Sequence, residues 1–205
     1  AAFGPPLLLQ AGIIERNIMV AGREKVLHSM VNKTFIPEGE AAPASQIGAT
    51  LEALAATIAA RRDADEASYT YRLLTGNVDG VLKKVMEESG EVALAAKDVE
   101  GWATSSLAAA VALEATEAGG TTTGAETADG GADFPLSVQL PPEYGEAVDH
   151  LRYEAADVVY HLLVVLERYG ITLDEFAAEL NNRMTEGERP HGAVRLHDEF
   201  VRRGK

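Results

Sequence analysis

From about Tyr144 to Tyr169, after Pro141-Pro142 and before Gly170, the chain keeps helical spacing, and a polar seam crosses its apolar face. His150, Glu154, Asp157 and His161 are spaced i, i+4, i+7 and i+11, which lines them along one side of a helix within about 60°. Their flanks are apolar: Leu151, Ala155, Val158, Val159, Leu162 and Leu163. Aspartate and glutamate are almost never fully buried unless they are paired or bound to a metal. Such a helix can therefore pack only against a neighbour that answers its charges.

An earlier segment, 79–98, carries a matching pattern. Its apolar positions are Val81, Val85, Val92 and Ala96, widened by Leu82, Met86, Ala93 and Leu94. Lys84, Glu88, Glu91 and Asp98 fall on one narrow face, with Glu87 at its edge. Glu87-Glu88-Ser89-Gly90-Glu91 places three acids within about one turn. Like charges at that spacing cost a few tenths of a kcal/mol per pair, roughly, so they are a poor choice for solubility alone. If both seams face one cleft, Glu88, Glu91, Glu154 and Asp157 form an all-oxygen site suited to hard ions such as Mg²⁺ or Mn²⁺. The competing interpretation is a solvated acidic face. A di-iron bundle needs Glu-x-x-His in two helices, and neither acidic pair has it. His161 fits an oriented partner or a packed core histidine better than a metal ligand.

The rest of the chain also reads as helix, and all-α is the expected fold class. Gln46 to Arg62 is alanine-rich with Ile47, Leu51, Leu54 and Ile58 at helical spacing. Ser68 is a plausible N-cap for a short helix through Leu74, and Asn77 or Asp79 can cap the next, expected to end near Lys97 or Asp98. Trp102 to Glu117 is alanine-rich and reads as an added helix; 118–133, rich in glycine and threonine, reads as a flexible loop. Gly170 stands in the C′ position, and Thr172-Leu-Asp-Glu175 fits a capping box opening a last helix to about Arg183. The expected organisation is an N-terminal extension of no assigned role at 1–45, an all-α domain at 46–183 with an insertion at about 101–145, and a loosely held polar tail at 184–205. Apolar faces this broad on four or five helices predict a bundle completed by dimerisation.

Charge narrows the function. Residues 1–45 balance four basic against four acidic residues, so the net charge of −14 arises in 46–205, and 101–150 holds eight acids without a Lys or Arg. That distribution argues against binding a nucleic-acid backbone. No cysteine means no disulfide framework, thiolate zinc site or cysteine nucleophile. No apolar run is long enough to span a bilayer, and the first residues make a poor secretory signal, so a cytoplasmic protein is expected.

Four stretches, Ser68–Gly76, Val81–Ala96, Glu154–Leu166 and Gly170–Leu180, resemble the phosphoribosyl-ATP pyrophosphatases of the all-α nucleotide pyrophosphohydrolase superfamily. The resemblance covers about 46–100 and 145–183. Its E-x-x-E and E-x-x-D pairs are common to the superfamily; the S-Y-T start, the K-x-x-E-E context and the D-x-x-Y-H run narrow it to this branch. It implies a Mg²⁺-dependent hydrolysis of phosphoribosyl-ATP to phosphoribosyl-AMP and pyrophosphate, the second step of histidine biosynthesis, by a homodimer. It also implies Glu88, Glu91, Glu154 and Asp157 as metal ligands, Glu87 as the residue that orients or deprotonates the attacking water, and Lys84 as a phosphate contact. The link between the acidic pairs is longer here than in that family, and 118–133 is expected to act as a lid or partner surface. A house-cleaning nucleoside-triphosphate or dUTP pyrophosphohydrolase is the nearest alternative, and a non-catalytic helical dimerisation module is the further one.

Overall fold

The structure, a computed structural model, describes residues 33–117, 138 and 140–202. The described residues form five α-helices and one 3₁₀ turn, with no strand. These are α1 (Gln46–Ala60), the 3₁₀ turn Arg61–Asp63, α2 (Tyr69–Thr75), α3 (Val78–Glu117), α4 (Pro142–Arg168) and α5 (Leu173–Asn181). Two compact units divide the chain, one of 1–42 and 110–139, the other of 43–109 and 140–205. The second holds every residue of the site described below.

Capping chemistry explains where the helices begin. Ser45 Oγ accepts from the Gly48 amide at 3.1 Å, and Ser68 Oγ accepts from the Tyr71 amide at 3.3 Å. The Asn77 side chain accepts from the Asp79 amide at 2.9 Å at the head of α3. Pro142 occupies the first turn of α4, where its missing N–H costs nothing. Gly170 has φ +69°, the left-handed conformation that ends α4. Thr172 and Glu175 then satisfy each other's backbone in a capping box.

The core of this unit is small: Ile58 from α1, Leu73 and Leu74 from α2, Val81 from α3, and Leu163, Val164 and Leu166 from α4. Leu51, Leu54, Val78, Tyr160, Leu173 and Phe176 pack around it. Arg168 locks the short α2 in place, donating to the carbonyls of Leu73, Leu74 and Gly76 at 2.8, 2.9 and 2.8 Å. Those carbonyls lie at the C-terminal end of a helix, where a cation is favoured. Arg62 bonds the Glu167 carboxylate at 2.7 Å and also its carbonyl, tying the end of α1 to α4.

Three expectations change. The helix expected to stop near Lys97 or Asp98 continues to Glu117, so Trp102 to Glu117 is the same helix rather than an added one. Alanine-rich sequence carries the helix through Gly101, whose cost is about 1 kcal/mol relative to alanine. The last helix ends at Asn181, not Arg183. The C-terminal tail is tied down: Asn181 Nδ2 donates to the Val194 carbonyl at 2.9 Å, and Arg189 donates to the carbonyls of Asn181 and Met184, each at 2.9 Å. The 118–133 stretch lies outside the described residues.

Removing the cap of α5 tests this account. Thr172→Ala should lower the unfolding free energy by roughly 1 kcal/mol in urea denaturation, with the slope unchanged.

Candidate active site

Glu88 lies on the inward face of α3 with the buried Val81 and Ala95, and is itself only 4 % exposed. Glu154 and His161 occupy the inward face of α4, 7 % and 5 % exposed. Carboxylate oxygens of Glu88, Glu154 and Asp157 all lie within 4.8 Å of one another. Three like charges at that separation, two of them buried, repel strongly because local screening is weak. Positive charge nearby lowers that repulsion.

Lys84, one turn before Glu88, supplies part of that charge. Its Nζ lies 2.5 Å from Glu88 Oε1 and 3.4 Å from Glu87. The hydrogen bond from Lys84 holds the Glu88 carboxyl below the usual value against burial, and the same bond raises the lysine above its own. His150 Nε2 is 2.9 Å from Glu154 Oε1 at the solvent side. Glu91 is exposed and lies outside the three-carboxylate group. Its interaction with the Glu88 carboxyl, with partial burial and the Glu154 charge, pushes Glu91 up. Glu87 is held by Lys83 at 3.1 Å, which lowers its carboxyl. Asp98, predicted on the same face, is exposed and takes no part in the group.

His161 packs at the base of this arrangement. Its Nδ1 is 2.9 Å from the Asp157 carbonyl oxygen and 3.8 Å from Glu88 Oε1; its Nε2 is 3.0 Å from the Tyr69 hydroxyl. Next to it, Thr70 Oγ1 and the Tyr160 hydroxyl share a 2.6 Å hydrogen bond. These two bonds latch α2 to α4. Burial pushes the Tyr69 phenol up, opposed by the Lys84 charge and reinforced by Tyr160, Glu88 and Asp157. The latch was not foreseen from the sequence. Its signal was the pairing of adjacent polar residues in Ser68-Tyr69-Thr70 with Tyr160-His161, which helical periodicity does not reveal.

The donor set is all carboxylate oxygen, its negative charge exceeds what Lys84 offsets, and both properties suit a hard divalent cation. Among the described residues, helices without strands and carboxylates from two of those helices turned to one point define an all-α protein with an acidic side-chain cluster. The family model described as Phosphoribosyl-ATP pyrophosphohydrolase matches residues 51–184, and the chain belongs to that family. The phosphoribosyl-ATP pyrophosphatase of Paracidovorax citrulli is 33 % identical over 148 residues, 70 % of this chain and 76 % of its own length. That of Limosilactobacillus fermentum is 31 % identical over 134 residues, 65 % of this chain and 82 % of its own length. The histidine biosynthesis bifunctional protein HisIE of Deinococcus radiodurans is 48 % identical over 60 residues, 29 % of this chain and 28 % of its own length. No solved structure matches the chain.

Lys84→Met leaves Glu88 buried without its partner. With a chelator present, the variant should lose on the order of 1–2 kcal/mol of stability at pH 7, discounted because the lysine is partly solvated. A carboxyl held low stabilises above its unfolded value of 4.5 and loses that contribution as pH falls through the lower folded value. The gap between variant and native protein should therefore narrow as the pH is taken below 4.5, read by urea unfolding across that range.

Proposed function

We propose that this chain hydrolyses phosphoribosyl-ATP between its α and β phosphates, giving phosphoribosyl-AMP and pyrophosphate with magnesium as the cofactor. The observation that carries this is the convergence of Glu88, Glu154 and Asp157 within the stretch matched by the family model. The catalytic domain is 46–183, and the stretch at about 101–145 is an insertion between its two acidic pairs.

Glu88, Glu154 and Asp157 are the metal-holding residues, with Glu91 at the open edge as the fourth carboxylate. When bound, the magnesium ion screens the carboxylates from the incoming polyphosphate and makes a water more acidic. Glu87 orients the attacking water. The lysine bonds that keep it ionised also make it a weak base, which favours an orienting role over proton abstraction. Lys84 meets a phosphate oxygen as a point charge, reaching it from the same position that holds Glu88. His161 keeps the Asp157 turn of α4 in register through its bond to the Asp157 carbonyl.

The protein acts as a homodimer. Leu82, Met86 and Leu94 leave an apolar face of α3 exposed on the single chain, a face that a second copy would cover. Light scattering behind size exclusion should give twice the chain mass, and Met86→Glu should shift it towards one chain.

Turnover tests the assignment. Calorimetry should show Mg²⁺ binding that Asp157→Asn abolishes, and the same variant should lose at least a hundredfold in kcat/KM with its helical circular dichroism intact. Glu91→Gln should abolish turnover likewise. Phosphoribosyl-ATP should be preferred over a panel of nucleoside triphosphates and dUTP; the reverse preference would make this a house-cleaning pyrophosphohydrolase. Absence of Mg²⁺ binding and of all turnover would leave a helical dimerisation module.

A further inference from the structure

Tyr69 combines two properties that seldom coincide. The residue is 45 % exposed, yet its hydroxyl is bonded at 3.0 Å to His161, itself only 5 % exposed. The direction of that bond follows from its neighbour. The Asp157 carbonyl can only accept, so His161 Nδ1 carries the hydrogen; in the neutral ring Nε2 then accepts, and the Tyr69 O–H donates. The ring is also fixed by an edge-on contact with His161, centroids 6.2 Å apart and planes at 89°. One residue on, the Thr70–Tyr160 bond holds the same turn of α2.

Its location is equally specific. The Tyr69 hydroxyl meets His161 Nε2, and Nδ1 of the same ring lies 3.8 Å from Glu88 Oε1, so the polar end of the tyrosine borders the acidic group while much of the residue faces solvent. Tyr69 is not one of the residues that build the core. A ring tethered at its polar end has already lost rotational freedom, so a flat ligand that packs on it gains contact at little entropic cost. Carboxylates that hold a cation can serve a polyphosphate; they offer nothing to a purine.

We infer that Tyr69 is a substrate-contacting residue, the aromatic wall on which the base of the nucleotide stacks, and that His161 is the positioning residue that holds it there. The inference rests on the proposed function, dividing the substrate between the acidic group, which takes the phosphates, and Tyr69, which takes the nucleoside end.

The experiment uses the full chain with Mg²⁺ and two probes, AMP and inorganic pyrophosphate, titrated by calorimetry, alongside steady-state kinetics with phosphoribosyl-ATP. Tyr69→Ala should weaken AMP about tenfold and raise KM by a similar factor, a loss typical of removing one stacked base. The affinity for pyrophosphate should stay unchanged and the loss should fall on KM rather than on kcat, because Glu88, Glu154 and Asp157 all remain. Tyr69→Phe, which keeps the ring and removes only the bond to His161, should weaken AMP about threefold. Tyr69→Leu, which keeps bulk without the ring, guards against a folding defect and should resemble Tyr69→Ala. Native protein that binds no AMP, AMP affinity unmoved by Tyr69→Ala, or equal weakening of AMP and pyrophosphate would each overturn the inference. Failure of the native chain to turn over phosphoribosyl-ATP would instead strike the proposed function, since the calorimetric arm does not depend on turnover.

Discussion

Glu88 carries its charge at a position only 4 % exposed, and the arrangement of α3 and α4 follows from how that charge is accommodated. A buried carboxylate is costly unless neighbouring groups answer its charge. Lys84 answers from the preceding turn of the same helix, and the His161 ring edge lies 3.8 Å away on the other. Glu154 and Asp157 approach the same point, so the register of the two helices decides which charges meet. An apolar seam alone would tolerate several registers. The polar groups thus specify the pairing while the apolar residues around Val81 and Val164 supply most of the stabilisation.

Segments distant in sequence hold the site together. Tyr69 and Thr70 meet His161 and Tyr160 across separations of 92 and 90 residues. A long connection between α3 and α4 adds little to the cost of closing that loop, since the entropy grows only logarithmically with length. Hence two helices so far apart in sequence can still bring their carboxylates to one point. Arg168 makes the same point at the other end of α2, satisfying three carbonyls that a seven-residue helix could not satisfy itself.

Much of the fold was legible because it depends on neighbours in sequence. Ser68, Thr172 with Glu175, and Gly170 act as helix boundaries through local hydrogen bonds and a local backbone conformation, and each is found where the sequence put it. The continuation of α3 to Glu117 was not legible, because a single glycine in an alanine-rich stretch is a weak stop whose outcome turns on a small energy difference. The polarity of 184–205 suggests a loose tail, whereas the carbonyls that Asn181 and Arg189 reach are not visible in the sequence.

For the candidate site the division is similar. Helical periodicity and residue chemistry by themselves determined that Glu88, Glu154 and Asp157 occupy coherent faces of two helices, and that oxygen donors of this kind suit a hard cation. Spacing cannot say how far each side chain is turned from the helix axis toward a neighbour. Tertiary packing decided that Glu88 is buried while Glu91, three residues on, is exposed at its edge, and that Leu82 and Met86 face outward although they widened the apolar stripe. It alone brought Tyr69 to His161. The reason is geometric: a helix fixes the angle between its own residues, but burial and hydrogen bonding depend on where a second helix lies, and that position is set by every contact at once.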